Sequence, residues 1–313
     1  MKRMIDLRPL TLADRSLIGE YLHSYPPVVS EHTFTNLFVW QPSRPILFAE
    51  IGDAVVFLVK AAGETGKYLL LGPPVGDRTL SDVFTLLQEV IIGAVRIPEA
   101  AALQLPAGEY EISPDRDNAD YVYRVDDLAG LAGRHYTKKR NHINQCLGSH
   151  SCEYLPMTAE IIGECEAMQD KWCHTRDCGR SPGLCNEANA IAETFAHFDE
   201  LGLLGGAIRV DGLVQAYAIA EQLHPGTAVW HFEKAMVEVP GLGQLITHWF
   251  SRYGLSGFEF VNREQDLGIP GMRQAKESYY PDHMVSKNSI SRSTDQPMTA
   301  TSIKAEGCAA HEH

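Results

Sequence analysis

No run of eighteen or more apolar residues occurs in this 313-residue chain, so no segment reads as a membrane-spanning helix. Positive charge is also in short supply. Lys and Arg number 27 against 40 Asp and Glu, a net charge of −13 that argues against general affinity for nucleic acid or anionic membrane. The first residues, MKRMIDLRPLTLADR, carry charge where a signal peptide needs an apolar core, so a cytoplasmic protein is expected. No C-x-x-C pair is present. Of seven cysteines, Cys152, Cys165, Cys173, Cys178 and Cys185 lie close together, but their gaps match no zinc pattern. Buried thiols are the simpler expectation, with no metal and no bound cofactor.

What the chain does have is a repeated local pattern. In AEIGDAVVF and again in AIRVDGLVQAYAI, a Gly-Asp or Asp-Gly pair separates two apolar runs, a short-range hairpin signal. Each hairpin is followed by a further strand, a Pro/Gly loop and an amphipathic helix: KYLLL, GPPVGD and TLSDVFTLLQEVI in the first, TAVWHFEKAMV, EVPG and LGQLITHWF in the second. One α/β unit used twice is expected. Between the halves EYEISPDRDNADYVYRV reads as strand, turn and strand, and helices are expected at 131–147, 158–174 and 187–201. From about residue 291 apolar periodicity ends, and a disordered tail is expected over 291–313.

Three segments carry charge that their local structure does not explain. In GRHYTKKRNHINQCL, helical spacing puts Tyr136, Ile143 and Leu147 on one face with Arg140 among them and Lys139 beside it. Either these cations reach out to water, or they hold an anionic group. In TAVWHFEKA, strict strand alternation puts His231 and Glu233 on one face and Trp230, Phe232 and Lys234 on the other. His231 and Glu233 then form either a proton-transfer pair or a structural hydrogen bond. In NREQDLGIPGMRQAKESYYP, residues 262–281, six charged side chains follow the apolar strand GFEFV. Arg273 opens a helix against its macrodipole. A self-neutralising surface network is one reading. The other is a mixed-charge pocket, in which cations take an anionic substrate and Glu264 or Asp266 takes a proton.

The segments EHTFTNLFVW, YTKKRNHINQ, VWHFEKAM and NREQDLGIPGMRQAKESYYP together resemble the bacterial family named for the C-terminal domain of phosphatidylglycerol lysyltransferase, in particular its stand-alone members. The resemblance runs from about residue 5 to 290. It implies an α/β (α+β) protein of two tandem GNAT-like acyltransferase folds, each a mixed, mostly antiparallel sheet flanked by helices. The expected domains are 1–120 and 121–290. It also implies an acyl or aminoacyl transferase, with aminoacyl-tRNA or acyl-CoA as donor. On this reading the partner is a phosphate-bearing small molecule or a tRNA acceptor end. The alternative is a non-catalytic module that binds such a ligand. Candidate catalytic residues are Glu264, Asp266, Glu233 and His231. Candidate binding residues are Lys139, Arg140, Asn141, Lys234, Asn262, Arg263, Arg273 and Lys276.

Overall fold

The computed structural model describes residues 5–176 and 178–293. They divide into two compact units, one of residues up to 120 with 265–269 and 285 onward, the other of 121–264 with 270–284. No helix among the described residues is long and apolar enough to cross a membrane.

In the first unit, Ile46–Glu50 and Ala54–Lys60 form the expected hairpin. Tyr68–Leu71 adds antiparallel to it, and Ile91–Pro98 pairs parallel to that strand. A parallel neighbour needs a crossover. It includes the helix Leu80–Leu86, whose Thr79 and Asp82 form a capping box. Leu80, Val83 and Phe84 of this helix pack with Val56, Leu58, Leu70 and Ala94 in the core.

The second unit repeats this order. Leu204–Val210 and Leu213–His224 form a hairpin closed by Asp211 and Gly212, both at positive φ as a two-residue type I′ turn requires. Thr227–Ala235 pairs antiparallel, and Phe260–Asn262 pairs parallel to it after the helix Leu242–Trp249. Trp230, Leu245, Ile246, Phe250 and Val261 anchor its core. Both sheets are therefore mixed and mostly antiparallel, with helices flanking them, as expected of paired GNAT-like folds. The helices Thr137–Ser149, Ala159–Arg176 and Pro182–Ala196 lie close to where periodicity puts them.

Two expectations need correction. The boundary of the second domain at 290, and the tail from 291, fail because Lys287–Arg292 is a strand of the first sheet, held between Ile91–Pro98 and Tyr110–Pro114. The equivalent place in the second sheet, beside Phe260–Asn262, is taken by Asp120–Arg124. The first sheet thus takes a strand from the far part of the chain, while the second uses the opening segment of its own unit. Residues 294–313 of the expected tail lie outside the described residues.

Strict alternation along Thr227–Ala235 also fails. Ala220 opposes Trp230 and Ile219 opposes Phe232, so His231 is an extra residue in a β-bulge. Past the bulge Ala218 opposes Glu233, so Trp230 and Glu233 share a face while Phe232 and Lys234 take the other.

Candidate active site

The parallel pair of the second unit ends at Val229 and Asn262. Beyond it, side chains bridge the two strand ends. Arg263 Nη2 donates to Glu233 Oε2 at 2.9 Å, and Glu233 also accepts from Thr247 Oγ1 at 3.1 Å. The Arg263 side chain is only 12% exposed and lies against rings: 4.6 Å from the Trp230 centroid, 5.4 Å from Tyr279 and 5.8 Å from Tyr123. Cation–π contact with several rings offsets part of the cost of burying the guanidinium. Lys276 Nζ donates to the Arg263 carbonyl oxygen and so ties the helix Pro270–Glu277 to this strand end.

Lys139 joins the cluster from the helix Thr137–Ser149. Its Nζ donates to Ser278 Oγ at 2.8 Å and sits 3.4 Å from the Tyr279 ring centroid. Burial first, then the charges of Arg263 and Lys138, brings the Lys139 ammonium down to about 8 against the opposing pull of Glu233. The buried stripe of this helix is Ile143 and Cys146, preceded by Tyr136, while Leu147 is exposed. That stripe runs through Lys139. Arg140 lies off it, contrary to expectation, and its guanidinium donates to the carbonyls of Leu131 and Gly133 and to Thr137 Oγ1. It closes the end of the helix Val125–Gly130. Asn141 is on the exposed side of the same helix.

His231 and Glu233 do not pair with each other. His231 Nδ1 meets Glu264 Oε1 at 2.9 Å and Nε2 meets Glu221 Oε1 at 2.8 Å. Burial by itself would lower the imidazole pKa, but the hydrogen bonds to both carboxylates outweigh it and raise the group to about 9. His231 is therefore an imidazolium at neutral pH. With both nitrogens donating, it has no lone pair with which to act as a base. Asn262 is fully buried, and its Oδ1 accepts the Glu264 N–H at 2.8 Å.

Two candidates lie elsewhere. Asp266 belongs to the first unit, is 0% exposed, and accepts from Arg116 at 3.0 Å and from the Gly268 N–H at 2.8 Å. Lys234 is on the opposite sheet face from Glu233, bound to Glu187 at 2.7 Å over the Trp172 ring at 4.2 Å. Arg273 is half-buried in the first turn of Pro270–Glu277. Among the cysteines, Cys165 is buried, and Cys173 and Cys185 are partly buried.

Sequence reading missed Tyr279, Tyr123, Thr247 and Glu221. Tyr279 lies within the charged stretch 262–281. The others come from three separate elements and carry no local signal.

No curated protein matches the chain. Among solved structures, a conserved protein of unknown function from Bacteroides thetaiotaomicron is similar with a TM-score of 0.84 and 30% identity, over 92% of this chain and 100% of that one. L-PGS from Bacillus licheniformis is similar in fold, with a TM-score of 0.62 and 14% identity over 90% and 93% of the two chains. Residues 23–289 match the family described as phosphatidylglycerol lysyltransferase, C-terminal. The chain belongs to that family.

Proposed function

We propose that the protein is an aminoacyl-type acyltransferase whose reaction takes place at the strand ends of the second unit. An amine or hydroxyl of the acceptor attacks the acyl carbon while Glu264 takes its proton; the donor's ester C–O bond then breaks, and Glu264 returns the proton to the departing ribose oxygen. Lys139, Arg263 and Arg273 hold the anionic part of the donor and stabilise the negative charge that develops on the acyl oxygen. Glu233 orients Arg263 and accepts a positively charged amino group. Asp266 and Lys234, each buried against its own partner, have no part in this scheme.

One observation carries the reading: Arg263, paired with Glu233, and Lys139, close enough for the charge of each cation to be felt by the other, stand in a half-buried cluster, while the chain as a whole bears −13. A locally cationic, aromatic-walled site in an acidic protein fits an anionic ligand. The preference for an aminoacyl ester over acyl-CoA rests on Gly241. It stands at φ +87° directly before the helix Leu242–Trp249, and a Cβ there would run into the His142 carbonyl. Backbone packed this tightly leaves little room for a pyrophosphate at that helix start, where such groups bind.

The test is transfer of a labelled amino acid from aminoacyl-tRNA to a panel of amine and hydroxyl acceptors, phospholipids included. The parent should transfer, and Glu264→Gln should lose roughly 100-fold or more in rate while still binding the donor. If neither protein transfers and both bind equally, the protein is a binding module instead.

A further inference from the structure

Glu264 is held in a conformation that asks for an explanation. Its φ is +57°, left-handed backbone that a residue with a side chain seldom adopts. Three contacts keep it there. Its N–H donates to Asn262 Oδ1 at 2.8 Å, its carbonyl accepts the Tyr121 N–H at 3.2 Å, and its carboxylate meets His231. His231 in turn reaches Glu264 from the bulge in Thr227–Ala235, where ordinary strand alternation does not apply. Its side chain is 3% exposed, with Glu221 on its other nitrogen, while Glu264 keeps 20% exposure. A line of three groups, with His231 buried at its centre and Glu221 13% exposed at one end, thus has Glu264 as its more open end.

We infer that Glu221 is a positioning residue: by taking Nε2 of His231 it aims Nδ1 at Glu264 and fixes that carboxylate at the strand end. The inference rests on the reading of Glu264 as the proton acceptor. Glu221 lies on the neighbouring strand, opposite Val229, so its own backbone is set by the sheet and not by the loop it serves. Glu221 and Glu264 are the charged groups that act on the ring. A neutral side chain at 221 leaves His231 with one carboxylate. The ring then loses its proton at lower pH and is free to turn, and Glu264 loses a fixed donor.

The full chain carrying Glu221→Gln tests this, since the amide keeps the shape and removes the charge. Proton–nitrogen NMR of the His231 imidazole should show its titration midpoint displaced downward by about one pH unit or more. In the transfer assay kcat should fall roughly tenfold or more with KM within about twofold, and the pH profile should move. Glu221→Asp should restore part of both. An unchanged His231 midpoint in Glu221→Gln overturns the inference whatever the activity. So does a displaced midpoint with an unchanged kcat and pH profile. A parent that transfers nothing removes the functional reading and not this one. The carboxyl carbon signal of Glu264 then decides: it moves in Glu221→Gln if Glu221 positions it, and an unmoved signal overturns the inference.

Discussion

The two units share a strand order and differ in what they do with a buried cation. In the first, Lys287 is fully buried beside the parallel pair, donating to Glu31 at 2.7 Å and Asp120 at 2.6 Å. Burial opposes ionisation of Glu31, yet Lys287 and Arg96 hold it below the usual carboxylate range. Gln265 adds hydrogen bonds to Ser30, Glu31 and Asp120. With Asp115 on Arg96, three carboxylates face two cations there, and the network joins five stretches of chain far apart in sequence. In the second unit Arg263 has one carboxylate and three aromatic faces, with a second cation, Lys139, close by. A cation saturated by carboxylates can only hold the fold together. One left partly to rings and a single carboxylate can also take up a ligand.

Breaking the saturated cluster should do the most damage. Lys287→Met leaves Glu31 and Asp120 buried without their shared partner, and removing one member of such a group costs about 3–5 kcal/mol. The urea midpoint should fall accordingly, whereas Arg263→Met, next to Trp230 and Tyr279, should cost less than half as much. Equal losses for the two would mean that both cations serve the same structural purpose.

Lys287 also marks where the sequence stops being informative. It sits in KNSISR, a polar run that gives no sign of burial, and its strand pairs with residues some 190 positions earlier in the chain. Local patterns do show the two hairpins, the crossover helices and the charged exit from GFEFV, because each depends on near neighbours. The bulge at His231 does not show. A single extra residue reverses the faces that follow it, and nothing in VWHFEK announces the insertion. On the helix Thr137–Ser149, spacings of three and four residues point to Arg140 or to Lys139 equally well. What decides between them is Tyr279, which arrives from another segment.

A smaller effect, on binding and not on folding, sharpens the contrast from the other side. The Lys139 ammonium, lowered to about 8, loses its proton as pH rises through that value, so an anion held by it should be released over the same range. Affinity for a phosphate-bearing ligand should be level below pH 7. Above pH 8 it should decline by up to about tenfold per pH unit. The stability sign is opposite. The unfolded chain keeps this proton up to the ordinary lysine range near 10.5, so between 8 and 10.5 rising pH adds to stability from this group. Calorimetric titration with the ligand at pH 6.5, 8 and 9 checks the first part. Affinity that does not change across that range would take Lys139 out of the site.

The smallest effect is expected at Arg140, the cation that sequence spacing puts forward as an anion holder. Its guanidinium is occupied by the Leu131 and Gly133 carbonyls and by Thr137, all within its own unit. Leu131 follows the helix Val125–Gly130 at φ +45°, a left-handed close that glycine would adopt more readily. Arg140 therefore satisfies carbonyls that this turn leaves without helical partners. Replacing it with Gln keeps one donor and removes the charge, so the loss should be about 1 kcal/mol, the size of one hydrogen bond. Ligand affinity should stay within about twofold of the parent, because the charge that would attract an anion is already spread over three oxygens. Arg263→Gln, measured beside it, should lose binding. Should Arg140→Gln lose binding as well, the cationic site extends along the helix to its exposed face, and Arg140 holds ligand as well as the turn at Leu131.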